Sequence, residues 1–201
     1  MSGEDSGEGI ERSGSQQRLW NVKTELQHMT PEEIKQSYLD HANSTAVGCL
    51  NLSGDINIGN MMRTSSLYNV GRFYILGKRV YDRRSSVGTQ HHIPGERIYT
   101  MTGQDNAFLD ETAAQKVLSD LQSQYTLVFV EQSPSSRPLP ELKTFAMKHP
   151  PLFVFGSEAE GIPPSLLNLP DSHCVFIPQP GIGRSFNVSV ACGIVLYEWF
   201  R

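Results

Sequence analysis

The sequence predicts an α/β fold, a mostly parallel sheet with helices on both faces. Three observations predict it. Several short runs are apolar at consecutive positions, as strands buried on both faces require. These runs alternate with stretches of helical periodicity. Polar and glycine-rich segments follow the apolar runs directly, at 53–64, 131–137, 156–162 and 178–187, and in such sheets ligands sit beyond the carboxyl ends of the strands.

Taken in order, residues 1–15 are rich in Ser, Gly and Glu and are expected to be disordered. Residues 16–45 read as a helical extension. Thr30 caps a helix over 31–42, Pro31 suits its first turn, Glu33 completes a capping box, and Ile34, Tyr38 and Leu39 give it an apolar face. The main domain is expected over 46–201. It opens with the strand AVGCLNL (46–52), after which Asn57 caps a helix running through Met61, Met62 and Leu67 to Asn69–Gly71. FYILG (73–77) is a strand and RIYTM (97–101) a weaker one. An amphipathic helix covers 110–122, a strand 125–132 and a short helix 139–147. Strands at 151–156 and 174–178 flank a Pro-Ser-Leu-Leu turn of helix. The closing helix, 187–200, is apolar nearly all round and is expected to be buried.

Composition narrows the function classes. The acidic, polar N-terminus reads as neither a signal nor a transit peptide, and no apolar run approaches the roughly 20 residues of a membrane span. The 3 cysteines, Cys49, Cys174 and Cys192, lack metal-ligand spacing and lie among apolar neighbours. They read as reduced thiols of a cytosolic or nuclear protein. The net charge of −4 comes from the tail: without Glu4, Asp5, Glu8 and Glu11, the 21 acids fall to 17, against 17 bases. Arg72, Lys78, Arg79, Arg83 and Arg84 crowd into one stretch. It reads either as a phosphate-binding patch or as an ordinary solvated loop.

Three segments carry candidate chemistry, and each has a plain structural reading beside the functional one. In 51–71, Asn57 is a candidate cap, and Arg63 lies nearly two helical turns further on, in reach of a phosphate or hydroxyl, or merely on the surface. In 153–163, Gly156 and Gly161 permit tight turning and close approach to a ligand. Glu158 and Glu160 there fit a turn better than a metal, and no metal is expected. In 176–193, Gly181 and Gly183 feed a helix whose start carries Ser185 and Asn187, either a cap or an anion or cofactor site.

Together, Asn57-x-Gly59-x-x-x-Arg63-Thr64, Gly156-Ser157-Glu158-x-Glu160-Gly161 and Ile177-Pro178 followed by Arg184-Ser185-x-Asn187-Val188 resemble the three signature motifs of the SpoU (TrmH) family of RNA ribose methyltransferases. That family belongs to the trefoil-knotted SPOUT superfamily. The resemblance runs from about residue 46 to 201. The stretch IPQPGIGRSFNV is most similar to the eukaryotic members that methylate a tRNA D-loop guanosine. Phe186 stands where the family usually has Leu, and Ile56 where its bacterial tRNA enzymes have His. The long N-terminal region of the eukaryotic members has no counterpart in these residues.

The resemblance implies methyl transfer from S-adenosyl-L-methionine to a ribose 2′-hydroxyl of RNA, with tRNA expected as substrate and rRNA or a non-catalytic role as alternatives. It implies a C-terminal trefoil knot and a homodimer with shared active sites. By motif match the cofactor pocket involves Gly156, Ile177 and Phe186, with Glu131 and Gln179 nearby. Arg63 is the implied activating residue, with Asn57, Glu158, Ser185 and Asn187 holding it and the ribose. A guanidinium with a pKa above ~12 is a poor base, so Arg63 is expected to orient a phosphate and stabilise developing alkoxide charge. RNA is expected on Arg72, Lys78, Arg79, Arg83 and Arg84, with His91, His92 and Arg97 beside them. An accessory protein recruited by 1–45 is an alternative source of substrate choice.

Overall fold

A computed structural model of the chain describes residues 22–50, 55–77, 81–104 and 108–201. The expected disordered tail, residues 16–21, Lys78 and Arg79 lie outside the described residues.

The strands are β1 (Asn43–Leu50), β2 (Val70–Gly77), β3 (Gly95–Tyr99), β4 (Met101–Thr102), β5 (Phe108–Leu109), β6 (Thr126–Val130), β7 (Arg137–Pro138), β8 (Pro151–Phe155) and β9 (His173–Phe176). Seven of them form one sheet in the order β3-β2-β1-β8-β6-β9-β7, while β4 and β5 make a small antiparallel pair. Every neighbouring pair in the large sheet is parallel. The register aligns Phe73, Val47, Phe153, Val128 and His173 in one row and Tyr74, Gly48, Val154, Phe129 and Cys174 in the next. Successive rows point to opposite faces, so the continuous apolar runs supply two cores at once.

The first core packs the sheet against α1 (Pro31–His41), α2 (Asp55–Leu67) and α5 (Val188–Phe200) through Tyr38, Met61, Met62, Cys192 and Val195. The second packs it against α3 (Glu111–Leu121) and α4 (Pro164–Leu167) through Ala114, Leu118 and Leu166. Phe73, Phe129, Phe153 and Phe155 are almost wholly buried, each worth roughly 1.5–3 kcal/mol of burial. Thr30 accepts from the Glu33 amide at 3.3 Å and its own amide donates to Glu33 Oε2 at 2.8 Å, completing the capping box. Asp110 caps α3 by accepting from the Ala113 amide. All three cysteines are free and buried.

Several boundaries differ from expectation, each for a physical reason. Strand β1 starts at Asn43 rather than 46: the Asn43 amide donates to Asn69 O and Trp199 Nε1 donates to Thr45 Oγ1, so polar residues are satisfied inside a strand. Helix α2 starts at Asp55, which puts Asn57 in its first turn and not at the cap. Leu39, expected on the buried face of α1, is 41% exposed. The helix expected over 139–147 is a 3-10 turn, Leu139–Thr144, with Leu139 and Leu142 buried three residues apart, the repeat of that tighter helix. Helix α5 is not buried all round, since Val190 and Tyr197 are exposed. Among the described residues no helix is long and apolar enough to cross a membrane.

Candidate active site

Strands β6, β8 and β9 are neighbours in the sheet, and each hands the chain to a loop at the same edge. These loops enclose a cleft of about 550 Å³. From the first comes Glu131, from the second Gly156 to Gly161, and from the third Ile177, Gln179 and Arg184 to Asn187. Its apolar wall includes Val130, Phe155, Phe176 and Val188.

The second loop folds back on itself. Ser157 and Gly161 exchange backbone hydrogen bonds at 3.1 and 3.0 Å, and the Glu160 amide donates to Ser157 Oγ at 3.1 Å. Gly161 has φ +68°, and a Cβ there would lie 2.4 Å from Glu131 Oε2. At Gly156 a Cβ would lie 2.3 Å from the Gly161 carbonyl carbon. Both glycines are therefore needed for the close approach of backbone segments. The Glu131 carboxylate holds this turn: Oε2 accepts from the Ile162 amide and Oε1 from the Gln132 amide, both at 2.9 Å. The third loop is pinned by Gln179, whose Nε2 donates to the carbonyls of Gly183 (3.2 Å) and Arg184 (2.9 Å). Phe186 lines the cleft and is 41% exposed.

At the mouth of the cleft the three motif segments meet in a chain of hydrogen bonds. Asn187 Nδ2 donates to Asn57 Oδ1 at 3.1 Å, and Asn57 Nδ2 donates to Glu158 Oε1 at 2.6 Å. Asn187 also caps α5, its Oδ1 accepting from the Ser189 amide at 2.9 Å. Each amide side chain accepts on one side and donates on the other, so the orientation of the whole chain is set by the charged acceptor, Glu158.

The expected cofactor residues Glu131, Gly156, Ile177, Gln179 and Phe186 all line the cleft. In this structure Glu131 and Gln179 act on the loops. Of the expected catalytic residues, Glu158, Ser185 and Asn187 line it, and Asn57 joins them through Glu158. Arg63 does not line it; its side chain is exposed on α2. With Ile56 and Leu67 at seven and four residues' remove, both exposed, it forms one outward stripe of that helix. Among the described residues no three His, Cys, Asp or Glu side chains are grouped as metal ligands. Burial pushes the Cys192 thiol up to about 12 and the Cys49 thiol higher still, so neither is a nucleophile.

Among the described residues of the expected basic patch, Arg72 is set apart from Arg83 and Arg84. Arg72 lies near the start of β2, about 16 Å of strand from its carboxyl end, whereas Arg83 follows that end. Arg84 donates from Nε and Nη2 to the Asp82 carboxylate, which is held down to about 2 chiefly by that guanidinium. His92 is buried and packed on the Tyr38 ring at 5.2 Å, which removes it as an RNA contact. The sequence reading missed Val130, Gln132 and Phe176 of the cleft wall; their position at the ends of predicted strands was the available signal.

Residues 44–197 match the model described as the SpoU rRNA methylase family. The chain belongs to that family. Among relatives, a mouse protein named tRNA (guanosine(18)-2′-O)-methyltransferase TARBP1 is 29% identical over 154 residues, 72% of this chain but 8% of its own length. A protein of Aquifex aeolicus (strain VF5) named tRNA (guanosine(18)-2′-O)-methyltransferase is 45% identical over 49 residues, 24% of this chain and 23% of its own length. The chain thus spans less than a quarter of these two curated relatives. The A. aeolicus TrmH/SpoU tRNA modifying enzyme superposes with a TM-score of 0.66 at 22% identity, covering 84% of this chain and 79% of that one. An AdoMet-bound rRNA methyltransferase from Sinorhizobium meliloti superposes at 0.63 and 19% identity, covering 82% and 58%. At such identities the likeness speaks to the α/β fold, and the SpoU family's fold is the one expected from the motifs.

Proposed function

We propose that this chain transfers a methyl group from S-adenosyl-L-methionine to a ribose 2′-hydroxyl of RNA, with the D-loop guanosine of tRNA as the expected target. The observation that carries the reading is the Asn187–Asn57–Glu158 chain, which joins all three motifs at the mouth of a cleft of nucleoside size. The guanosine-18 names of the mouse and Aquifex relatives support the choice of tRNA.

The residues present fit the cofactor. A cleft of about 550 Å³ lies within the range for small-molecule sites, and the glycine-permitted turn at 156–161 forms part of its lining. When bound, S-adenosyl-L-methionine supplies an electrophilic methyl group, so positioning of the hydroxyl accounts for much of the rate. Glu158 and Asn187 line the cleft and hold Asn57, fixing the polar rim where the ribose lies. Ser185 lines the same rim. Arg63 orients the neighbouring phosphate and stabilises developing charge on the hydroxyl oxygen.

Arg63 reaches such a site if two copies of the chain pair. The stripe Ile56–Arg63–Leu67 surrounds a cation with exposed apolar residues, and Val190 and Tyr197 add an apolar face on α5. Helices α2 and α5 pack against each other, and exposed apolar residues on both suit an association surface. Pairing through it covers these residues and sets Arg63 of one copy against the other. The family's C-terminal trefoil knot, and a cytosolic or nuclear location, belong to the same proposal.

The test is methyl transfer from labelled S-adenosyl-L-methionine to total RNA, separated by size, with wild type and Arg63→Ala in parallel. Label in the tRNA band, recovered in an alkali-resistant dinucleotide and absent with the variant, is expected. Label in rRNA overturns the tRNA assignment. Cofactor binding with no label in any RNA overturns catalysis by the chain alone and favours a non-catalytic role or a required partner.

A further inference from the structure

A second, smaller cleft lies on the other side of α2. Its volume is about 140 Å³, too small for a nucleoside but enough for one tetrahedral anion. Its floor is apolar, from Met62, Ile75 and Ile93, and its polar groups converge from separate segments: Arg83, Gln90 and His91 from two 3-10 turns, and Arg97 from β3. Among the described residues no carboxylate belongs to the lining. The carboxylate next in sequence, Asp82, is already held by Arg84. Both guanidiniums line this one cleft. Burial raises the Tyr81 phenol at the cleft wall, and the charges of Arg97 and Arg83 oppose that rise.

The cleft is fixed relative to the candidate active site through α2. At Gly59, two residues beyond Asn57, a Cβ would lie 1.9 Å from Ser85 Oγ and 2.7 Å from the Ser86 amide. Glycine there lets the turn carrying Arg83 rest on the helix backbone. One face of α2 thus presents Asn57 to Glu158, and the other carries the basic cleft, a helix width of roughly 10 Å apart.

We propose that Arg83 and Arg97, with Gln90 and His91, cradle a single backbone phosphate of the RNA, outside the nucleotide that is methylated, and so set the substrate's register. Phosphate contacts position an RNA without reading its sequence, and two guanidiniums on an apolar floor suit one phosphate at close range. The inference rests on the RNA reading of the main site.

The test measures tRNA affinity against salt for wild type, Arg83→Gln, Arg97→Gln and the double variant, with S-adenosyl-L-methionine affinity as the check on folding. Counterion release counts the phosphates neutralised, so each single variant, which leaves one guanidinium on the shared phosphate, is expected to leave the salt slope nearly unchanged. Each should weaken binding about tenfold. The double variant is expected to lower the slope by about 1, because both side chains serve one phosphate. A fall of about 2 overturns the shared cradle in favour of two separate contacts. Unchanged slopes and affinities in all variants, with wild type binding tRNA, overturn the inference and leave the proposed function standing. Saturable inorganic phosphate binding that disappears in the double variant, with tRNA binding unaltered, overturns it in favour of a free anion. Wild type that binds cofactor but no RNA removes the proposed function and this inference together.

Discussion

Replacing Gly156 by Ala adds one methyl group at the point where the loop after β8 folds back on itself. Its Cβ would lie 2.3 Å from Gly161 C, 2.5 Å from Gly161 O and 2.6 Å from the Ile162 amide nitrogen. All three are backbone atoms, so no rotamer change relieves the contact. Overpacking of this kind costs about 1–3 kcal/mol, and the absence of a flexible neighbour puts it near 3. Two limits follow. If the turn holds, the cost appears in global stability, and at about 2–4 °C per kcal/mol for a chain of this size the Tm falls by about 6–12 °C. If the turn opens instead, the cofactor must close it again, and 3 kcal/mol becomes a weakening of about 100-fold in Kd. Thermal melting and calorimetric titration with S-adenosyl-L-methionine separate the limits. Gly183→Ala is the control, with nothing within 4 Å of its added Cβ and no positive φ. It should bind normally and gain about 0.4–1 kcal/mol from a stiffer unfolded chain. Wild-type Tm and wild-type Kd in Gly156→Ala would refute the close-approach argument.

Further expectations concern other parts of the molecule. Glu131→Ala strands the amides of Gln132 and Ile162, costing about 1–3 kcal/mol and weakening cofactor binding as the turn loosens. Lost cofactor affinity at unchanged Tm would show instead that the carboxylate meets the ligand directly. His92 is held below its ordinary value, first by burial and then by His91. The unfolded chain therefore binds the extra proton first, and the contribution to stability is complete above the unfolded value of about 6.5 and is lost as pH falls below it. The acid-side drop in Tm should shrink in His92→Gln; an identical drop would assign it to other groups. Tyr197→Glu combined with Leu67→Glu should convert a sedimenting dimer to monomer while leaving the monomer fold intact by circular dichroism. An unshifted sedimentation coefficient would place association elsewhere.

The central strands were readable because β1, β6 and β8 are buried on both faces and write themselves as unbroken apolar runs. Where burial is satisfied by polar contacts the pattern disappears, as at Thr45, whose hydroxyl is met by Trp199 from the far end of the chain. The short edge strand Arg137–Pro138 carries no periodic signal at all, and a proline is tolerated there because an edge strand need not donate on both sides. Charge clusters were misleading for a different reason. Arg72 and Arg83 are close in sequence, but Arg72 lies near the start of an extended strand and Arg83 follows its end, and extension turns sequence proximity into distance. The site itself was visible only as ordered motifs, because the pairs Asn57–Glu158 and Asn57–Asn187 are 101 and 130 residues apart. What the motifs did not reveal was that Arg63 is exposed on α2 and does not line the cleft of its own chain.

The double role of Asn187, which starts the last helix and completes the polar rim, has a consequence for how the molecule is made. Asn57 leaves the ribosome 130 residues before its partner. At about 5–20 residues per second, that interval is on the order of ten seconds. During that time the first motif can be folded against β1 and β2, but its side chain has no partner from a later motif until Glu158 emerges, 101 residues on. The rim is assembled only as α5 nucleates, so a nascent or truncated chain lacking it carries every strand of the sheet but an unfinished rim. Competence to act thereby waits on one side chain.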